Sequence, residues 1–131
     1  MRFKSRRVFV RKLNVRRHRR QVRRRGGCIV ATEKITQYLL NLDHSDGAGK
    51  AKFFIGGGFS PDEPEALAEA LKRHFRENMP TEHKPDRFGG ERLVIDAPMG
   101  VPDGRSPMVR SVWGIDKGQA VARLLTAHPL D

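Results

Sequence analysis

The spacing of apolar residues changes once along the chain, from a helical period to a strand period. Between Thr32 and Leu42, the residues Ile35, Tyr38, Leu39 and Leu42 recur at i, i+3, i+4 and i+7. That is the apolar stripe of an amphipathic helix, with Thr32 as its N-cap. Asn41 to Gly49 is a turn by composition. Lys50 to Ile55 reads as a short second helix, held by packing of Phe53 and Phe54 because so few residues form no stable helix alone. Gly56-Gly57-Gly58 ends it. Without a following Gly-Lys-Ser/Thr, the three glycines are no phosphate loop. Ser60-Pro61-Asp62-Glu63 predicts a third helix beginning at a capping box, and Leu67, Leu71 and Phe75 continue its stripe to Met79-Pro80. His74, beside that stripe, is expected to be a half-buried surface residue. Residues 80–87 read as a polar connector in which His83 has no evident partner.

From Glu91 the period is two. Strands are predicted over Glu91–Asp96, Pro107–Ile115 and Ala120–His128, separated by turns at Pro102-Asp103-Gly104 and Asp116-Lys117-Gly118. In the second strand, Val109, Ser111, Trp113 and Ile115 share one face, and Met108, Arg110 and Val112 share the other. Strict alternation in the third puts Val121, Arg123, Leu125 and Ala127 opposite Leu124, Thr126 and His128. Helices and strands are segregated, so the fold class is α+β, with N-terminal helices packed on a three-stranded antiparallel meander. Apolar residues occur on both strand faces, which leaves open which face the helices cover.

Charge divides the 131 residues in two. Residues 1–27 hold 13 of the 26 Lys and Arg and no acidic residue, whereas the remainder holds 13 basic and all 15 acidic residues. The net charge of +11 therefore belongs to the arm, while the body is slightly acidic. We divide the chain into an Arg-rich disordered arm, 1–29, and one domain, 30–131. The arm suits salt-sensitive, sequence-blind attraction to nucleic acid. The alternative is an incidental tail, with native initiation at Val30. One cysteine, Cys28, excludes a disulfide framework and makes a reducing cytoplasm the expected location. No apolar run approaches the roughly 18–20 residues that cross a bilayer, and no apolar segment follows the arm as in a secretory signal.

The five histidines show no metal-ligand spacing, and neither Ser45 nor Ser106 sits in a nucleophile-elbow pattern. No cofactor or metal is expected. Metal-free RNA cleavage is better supplied. It needs a base for the 2′-hydroxyl, an acid for the leaving oxygen and a cation for the phosphorane charge. Arg110 and Arg123 lie mid-strand, where a lysine or threonine would serve a plain surface. Pairing about Asp116–Gly118 is expected to bring them together, with Thr126 and His128 further along. Lys50 and Lys52, with His44, come from the helical corner. The competing reading pairs the arginines with Glu91 or Asp96 on the sheet surface and makes the corner ordinary.

Several motifs occur together in order. Tyr38-Leu39-Leu40-Asn41 is followed by Asp43-His44, Gly47, Lys50-Ala51, Phe53-Phe54 and Gly58-Phe59. Later come Pro102-Asp103-Gly104-Arg105, Val109-Arg110, Val112-Trp113, Arg123-Leu124, Thr126-Ala127 and Pro129. Over about residues 33–130 this resembles an uncharacterised bacterial domain family. Its layout is more remotely similar to the barnase–EndoU–colicin–RelE-like toxin ribonucleases. That resemblance implies metal-independent RNA cleavage, a cognate antitoxin or immunity partner, and an active surface drawn from His44, Lys50, Lys52, Arg110, Arg123, Thr126 and His128. The alternative is a non-catalytic protein-interaction module, with nucleic acid met only by the arm.

Overall fold

A computed structural model describes residues 27–130, which run as follows. Strand β1 (Cys28–Ile29) precedes α1 (Thr32–Lys34), which continues as a π-helical segment (Ile35–Leu39). Then come α2 (Ala48–Gly56), α3 (Pro64–Glu77), β2 (Glu82–Pro85), β3 (Glu91–Pro98), β4 (Met108–Ile115) and β5 (Ala122–Pro129). The fold is α+β, as the change of period implies. The sheet has five strands in the order β1-β5-β4-β3-β2, not three. The expected meander, β3-β4-β5, is its antiparallel centre. Two short edge strands are added: β1 lies parallel to β5, and β2 antiparallel to β3. Cys28 and Ile29, read with the arm, thus pair with Ala122 and Arg123. The rest of the arm, to residue 26, lies outside the described residues. Among the described residues no helix is long and apolar enough to cross a membrane.

The covered face is now defined. Leu93, Ile95, Val109, Trp113 and Ala127 are fully or almost fully buried and meet Leu67, Leu71 and Phe75 of α3 in one core. The Phe75 and Trp113 rings lie 4.9 Å apart between centroids. The open face carries Asp96, Arg110, Val112, Thr126 and His128. Strict alternation fails in β5, because a register shift opposite Val112 and Trp113 leaves Leu125 as an extra residue. Leu124 and Ala127 therefore both face the core.

Three helix boundaries differ from the sequence reading. Thr32 is helical rather than a cap, and its carbonyl accepts the Thr36 hydroxyl. The widened π turn, closed by the Leu40 N–H on the Ile35 carbonyl at 2.8 Å, turns Leu40 into the core and leaves Leu42 54% exposed. Ser60 does not cap α3. Its hydroxyl accepts the N–H of Asp62, and the helix starts four residues later with Pro64 at its first position. His83 lies on β2 with Nε2 3.1 Å from the Glu91 carboxylate, so the partner missing from the sequence reading comes from the adjacent strand.

Two of the three glycines, Gly57 and Gly58, make room for the loop between β3 and β4. Gly58 has φ +109°, and a Cβ there would stand 2.9 Å from Pro102 Cβ. The Asp103 N–H donates to the Gly57 carbonyl at 3.0 Å beside it. Two separate sequence motifs are therefore one docked contact. Gly58→Ala is expected to cost about 1–3 kcal/mol from the unfavourable backbone angle and the clash. A urea-unfolding midpoint equal to that of the wild type would refute this docking.

Candidate functional site

The helical corner is built to aim Tyr38 and Lys50 at the edge of β5. Asn41 begins the turn, with Oδ1 accepting the Asp43 N–H at 2.9 Å. The imidazole of His44 closes it: Nδ1 accepts the N–H groups of Asp46 and Gly47, both at 3.0 Å. Gly47 fits because a Cβ there would lie 2.7 Å from the Tyr38 ring. The His44 ring then packs edge-on against Tyr38, with centroids 4.9 Å apart. Three residues on, Lys50 donates to the Tyr38 hydroxyl and, at 3.1 Å, to the Thr126 hydroxyl. Tyr38 and Thr126 hydroxyls are 3.2 Å apart. β1 pairs β5 only at Ala122 and Arg123, so the corner reaches Thr126 along an edge that β1 does not occupy.

Tyr38 is the residue that sequence reasoning missed. Its apolar ring counted towards the stripe, while its hydroxyl is the centre of the cluster. Burial by itself raises the phenol's pKa. Hydrogen bonds from Lys50 and Thr126, with the charges of Lys50 and Lys34, together outweigh it and leave the pKa below the ordinary 10.0. The Lys50 and Lys34 ammonium groups lie 4.8 and 5.5 Å from the ring centroid. The available signal was its place as the chain's one tyrosine at the head of the Tyr38–Phe59 motif run.

The open face of the sheet continues from Thr126. Cross-strand register sets Val94, Val112 and Thr126 in one row and Asp96, Arg110 and His128 in the next. Thr126 and His128 are two residues apart on one face, roughly 7 Å along the strand. Arg110 is held by Asp96 in a two-point pair, Nε to Oδ1 at 2.7 Å and the terminal nitrogen to Oδ2 at 2.8 Å. That hydrogen bonding, against some burial, holds the Asp96 carboxyl below its usual range. The surface-pairing reading of Arg110 is therefore correct in its partner. The remaining guanidinium donors are still available on this face. His128 donates Nδ1–H to the Pro129 carbonyl at 3.0 Å, which in the neutral ring leaves the lone pair on Nε2.

Two expected members lie elsewhere. Arg123 pairs opposite Gly114, four positions along β4 from Arg110, and binds Asp116 through contacts of 3.0 and 3.1 Å. The register shift and the length of the β4–β5 turn prevent the expected meeting of the two arginines. Lys52 is exposed on α2, away from the Lys50 contact. Among the described residues no group of three His, Cys, Asp or Glu is placed to hold a metal ion. The assembled group is thus Tyr38, Lys50 and Thr126, with His44 behind and Arg110 and His128 beside it. It offers a phenol of lowered pKa, an ammonium, a guanidinium and an imidazole nitrogen on one open surface.

Comparison with known proteins adds a family and a fold. A family model described as a domain of unknown function (DUF6883) matches residues 25–131. No curated protein matches the chain. Among solved structures, one chain of a contact-dependent growth inhibition toxin–immunity protein complex from Klebsiella pneumoniae 342 is similar. The match has a TM-score of 0.58 and 16% identity, covering 79% of this chain and 93% of the other. At that identity the similarity is one of fold.

Proposed function

This chain belongs to the DUF6883 family of domains of unknown function, and we propose that it is a metal-independent endoribonuclease acting as the toxic member of a toxin–immunity pair. One observation carries the reading: the Tyr38–Lys50–Thr126 cluster sits at the edge of an open sheet face that also carries Arg110 and His128. The solved neighbour belongs to a toxin–immunity protein complex, and the shared fold is consistent with that role. RNA as substrate would place its action in a cytoplasm.

The groups supply each part of a transphosphorylation. Nε2 of His128 accepts the 2′-hydroxyl proton as the 2′-oxygen attacks phosphorus. The P–O5′ bond breaks, and the Tyr38 hydroxyl gives its proton to the departing oxygen. A lowered phenol pKa makes that transfer easier. Lys50 and the free donors of Arg110 bear on the charge that develops on the phosphorane oxygens. The products are a 2′,3′-cyclic phosphate and a 5′-hydroxyl. Thr126 orients Lys50, and His44 fixes the Tyr38 ring through the turn.

The test is cleavage of single-stranded RNA by the purified chain, with and without a chelator, with the ends identified. Chelator-resistant cleavage that leaves 2′,3′-cyclic phosphates is expected. His128→Ala should lower kcat/KM by about 10²–10⁴, the usual contribution of a general base. A folded protein that never cleaves RNA would reject the reading. It would favour the interaction module, for which the engagement of Arg110 and Arg123 by Asp96 and Asp116 speaks. A toxin and an immunity protein are separated by the same assay, since only the toxin turns over.

A further inference from the structure

A second concave surface lies on the same sheet face, at the end where β2 and β3 and β4 and β5 are joined. It is an open cleft of about 700 Å³. Register sets Lys84, Arg92, Gly114 and Arg123 in one row across four strands. Gly114 has no side chain to fill the middle, and Leu125 lies over it, since a Cβ on Gly114 would stand 3.3 Å from Leu125 Cδ1. The floor is therefore apolar and its flanks are cationic. Arg87 and Lys117 add two further cations at the rim.

The acidic residues here are committed. Asp86 accepts the N–H groups of Phe88 and Gly90 at 2.7 and 2.8 Å. Asp116 binds Arg123, and Glu91 lies 3.1 Å from His83. Arg87, Arg92 and Lys117 form no ion pair among the described residues. Asp86 also fixes the loop that presents Phe88, a residue 79% exposed. A large exposed aromatic beside unpaired cations is the chemistry that grips single-stranded nucleic acid: the ring stacks a base and the cations take phosphates.

We propose that this cleft is a substrate subsite, in which Phe88 stacks a base of single-stranded RNA and Arg92, with Arg87 and Lys117, holds the adjoining phosphates; Lys84 is already paired with Glu82 at 3.1 Å. The inference rests on the ribonuclease reading for its placement relative to the reaction. Gly114 and Arg110 are four residues apart on β4, roughly 14 Å, so a strand crossing this face would span the two sites with a few nucleotides. The cleft therefore contributes to long substrates and not to the shortest one.

The test uses the full chain and two substrates, a dinucleotide and a single-stranded oligoribonucleotide long enough to reach the cleft. Phe88→Ala and Arg92→Ala are each expected to lower kcat/KM on the oligomer about tenfold or more and to leave dinucleotide cleavage unchanged. Binding is followed separately with a non-cleavable 2′-O-methyl oligomer carrying 4-thiouridine. Photocrosslinking should place adducts in the peptide containing Phe88. Adducts confined to other peptides, or equal losses on both substrates, would overturn the subsite. If RNA is bound and crosslinked at Phe88 but never cut, the catalytic reading fails and the binding cleft stands. Unchanged affinity and no crosslink at Phe88 would overturn the cleft itself and leave that surface to a protein partner.

Discussion

Lys50→Met should lower kcat/KM for RNA cleavage by about 10²–10³, the usual effect of deleting one transition-state donor. Methionine keeps the length of the aliphatic stem, so α2 retains its packing on the corner. What is lost is the ammonium that donates to Tyr38 and Thr126. A second readout separates catalysis from a merely structural tie. Tyr38 gives up a proton in the reaction, so activity must fall as pH rises through its pKa. In the wild type that pKa lies below 10.0, because Lys50 and Thr126 outweigh the upward effect of burial. With Lys50 removed, burial persists and the largest lowering influence is gone. The alkaline limb of the residual activity should therefore move to higher pH. A variant that folds normally, loses activity and shows an unmoved limb would assign Lys50 a charge-stabilising role alone. Full activity would remove it from the site.

The α+β class was legible because the change from a 3.6-residue to a two-residue period is written in the apolar positions themselves. That Val109, Ser111, Trp113 and Ile115 share one face of β4 was legible for the same reason, but not that this face enters the core, because both faces carry apolar residues. The edge strands were not. Cys28–Ile29 is too short to show any period, and Glu82–Pro85 is polar throughout with a terminal proline. Their pairing comes from the open backbone edges of β5 and β3, which no side-chain pattern of their own records. Leu42 was misplaced because a π turn takes more residues than an α turn, which breaks the 3.6-residue stripe, and the helical segment ends at Leu39. Ala127 was misplaced because the extra residue, Leu125, reverses the alternation beyond it, so that Ala127 joins Leu124 in the core while Thr126 and His128 take the face of Arg123.

The site divides in the same way. Lys50, Thr126, Arg110 and His128 were recognisable as reactive types, and the register then brought them to one face or its edge. Tyr38 was sorted with the core because an aromatic ring reads as apolar wherever its hydroxyl points. Arg123 was included because hairpin symmetry was assumed where the ladder is shifted. Even so, the spaced motif residues make physical sense in the fold. Asn41, His44 and Gly47 form the turn, Lys50 and Tyr38 meet across it, and Gly58 admits Pro102. That consistency across separate stretches of chain favours one organised corner over an incidental coincidence of polar residues.

Beneath the open face, His74→Leu is expected to be the most destabilising of these substitutions, by about 2–4 kcal/mol. The sequence reading made His74 a half-buried surface residue; it is 2% exposed. Nε2 meets the Ala97 carbonyl at 3.0 Å and Nδ1 meets the Ser111 hydroxyl at 2.8 Å. A carbonyl can only accept, so Nε2 carries the proton. In the neutral ring Nδ1 then accepts from Ser111, whose oxygen accepts the Trp113 indole N–H at 2.8 Å. One proton serves each bond, and the chain joins α3 to β3 and β4. Leucine fills similar space but removes two of these bonds and leaves a buried hydroxyl without its acceptor. Ser111 directly precedes Val112 and follows Arg110, so this buried chain also sets the strand on which the guanidinium is displayed. Urea unfolding of His74→Leu checks the magnitude. The double variant His74→Leu with Ser111→Ala removes the stranded hydroxyl and should be less destabilised than the sum of its parts. Additive losses would mean that the two side chains stabilise the core independently, and that no continuous hydrogen-bonded chain supports the face above.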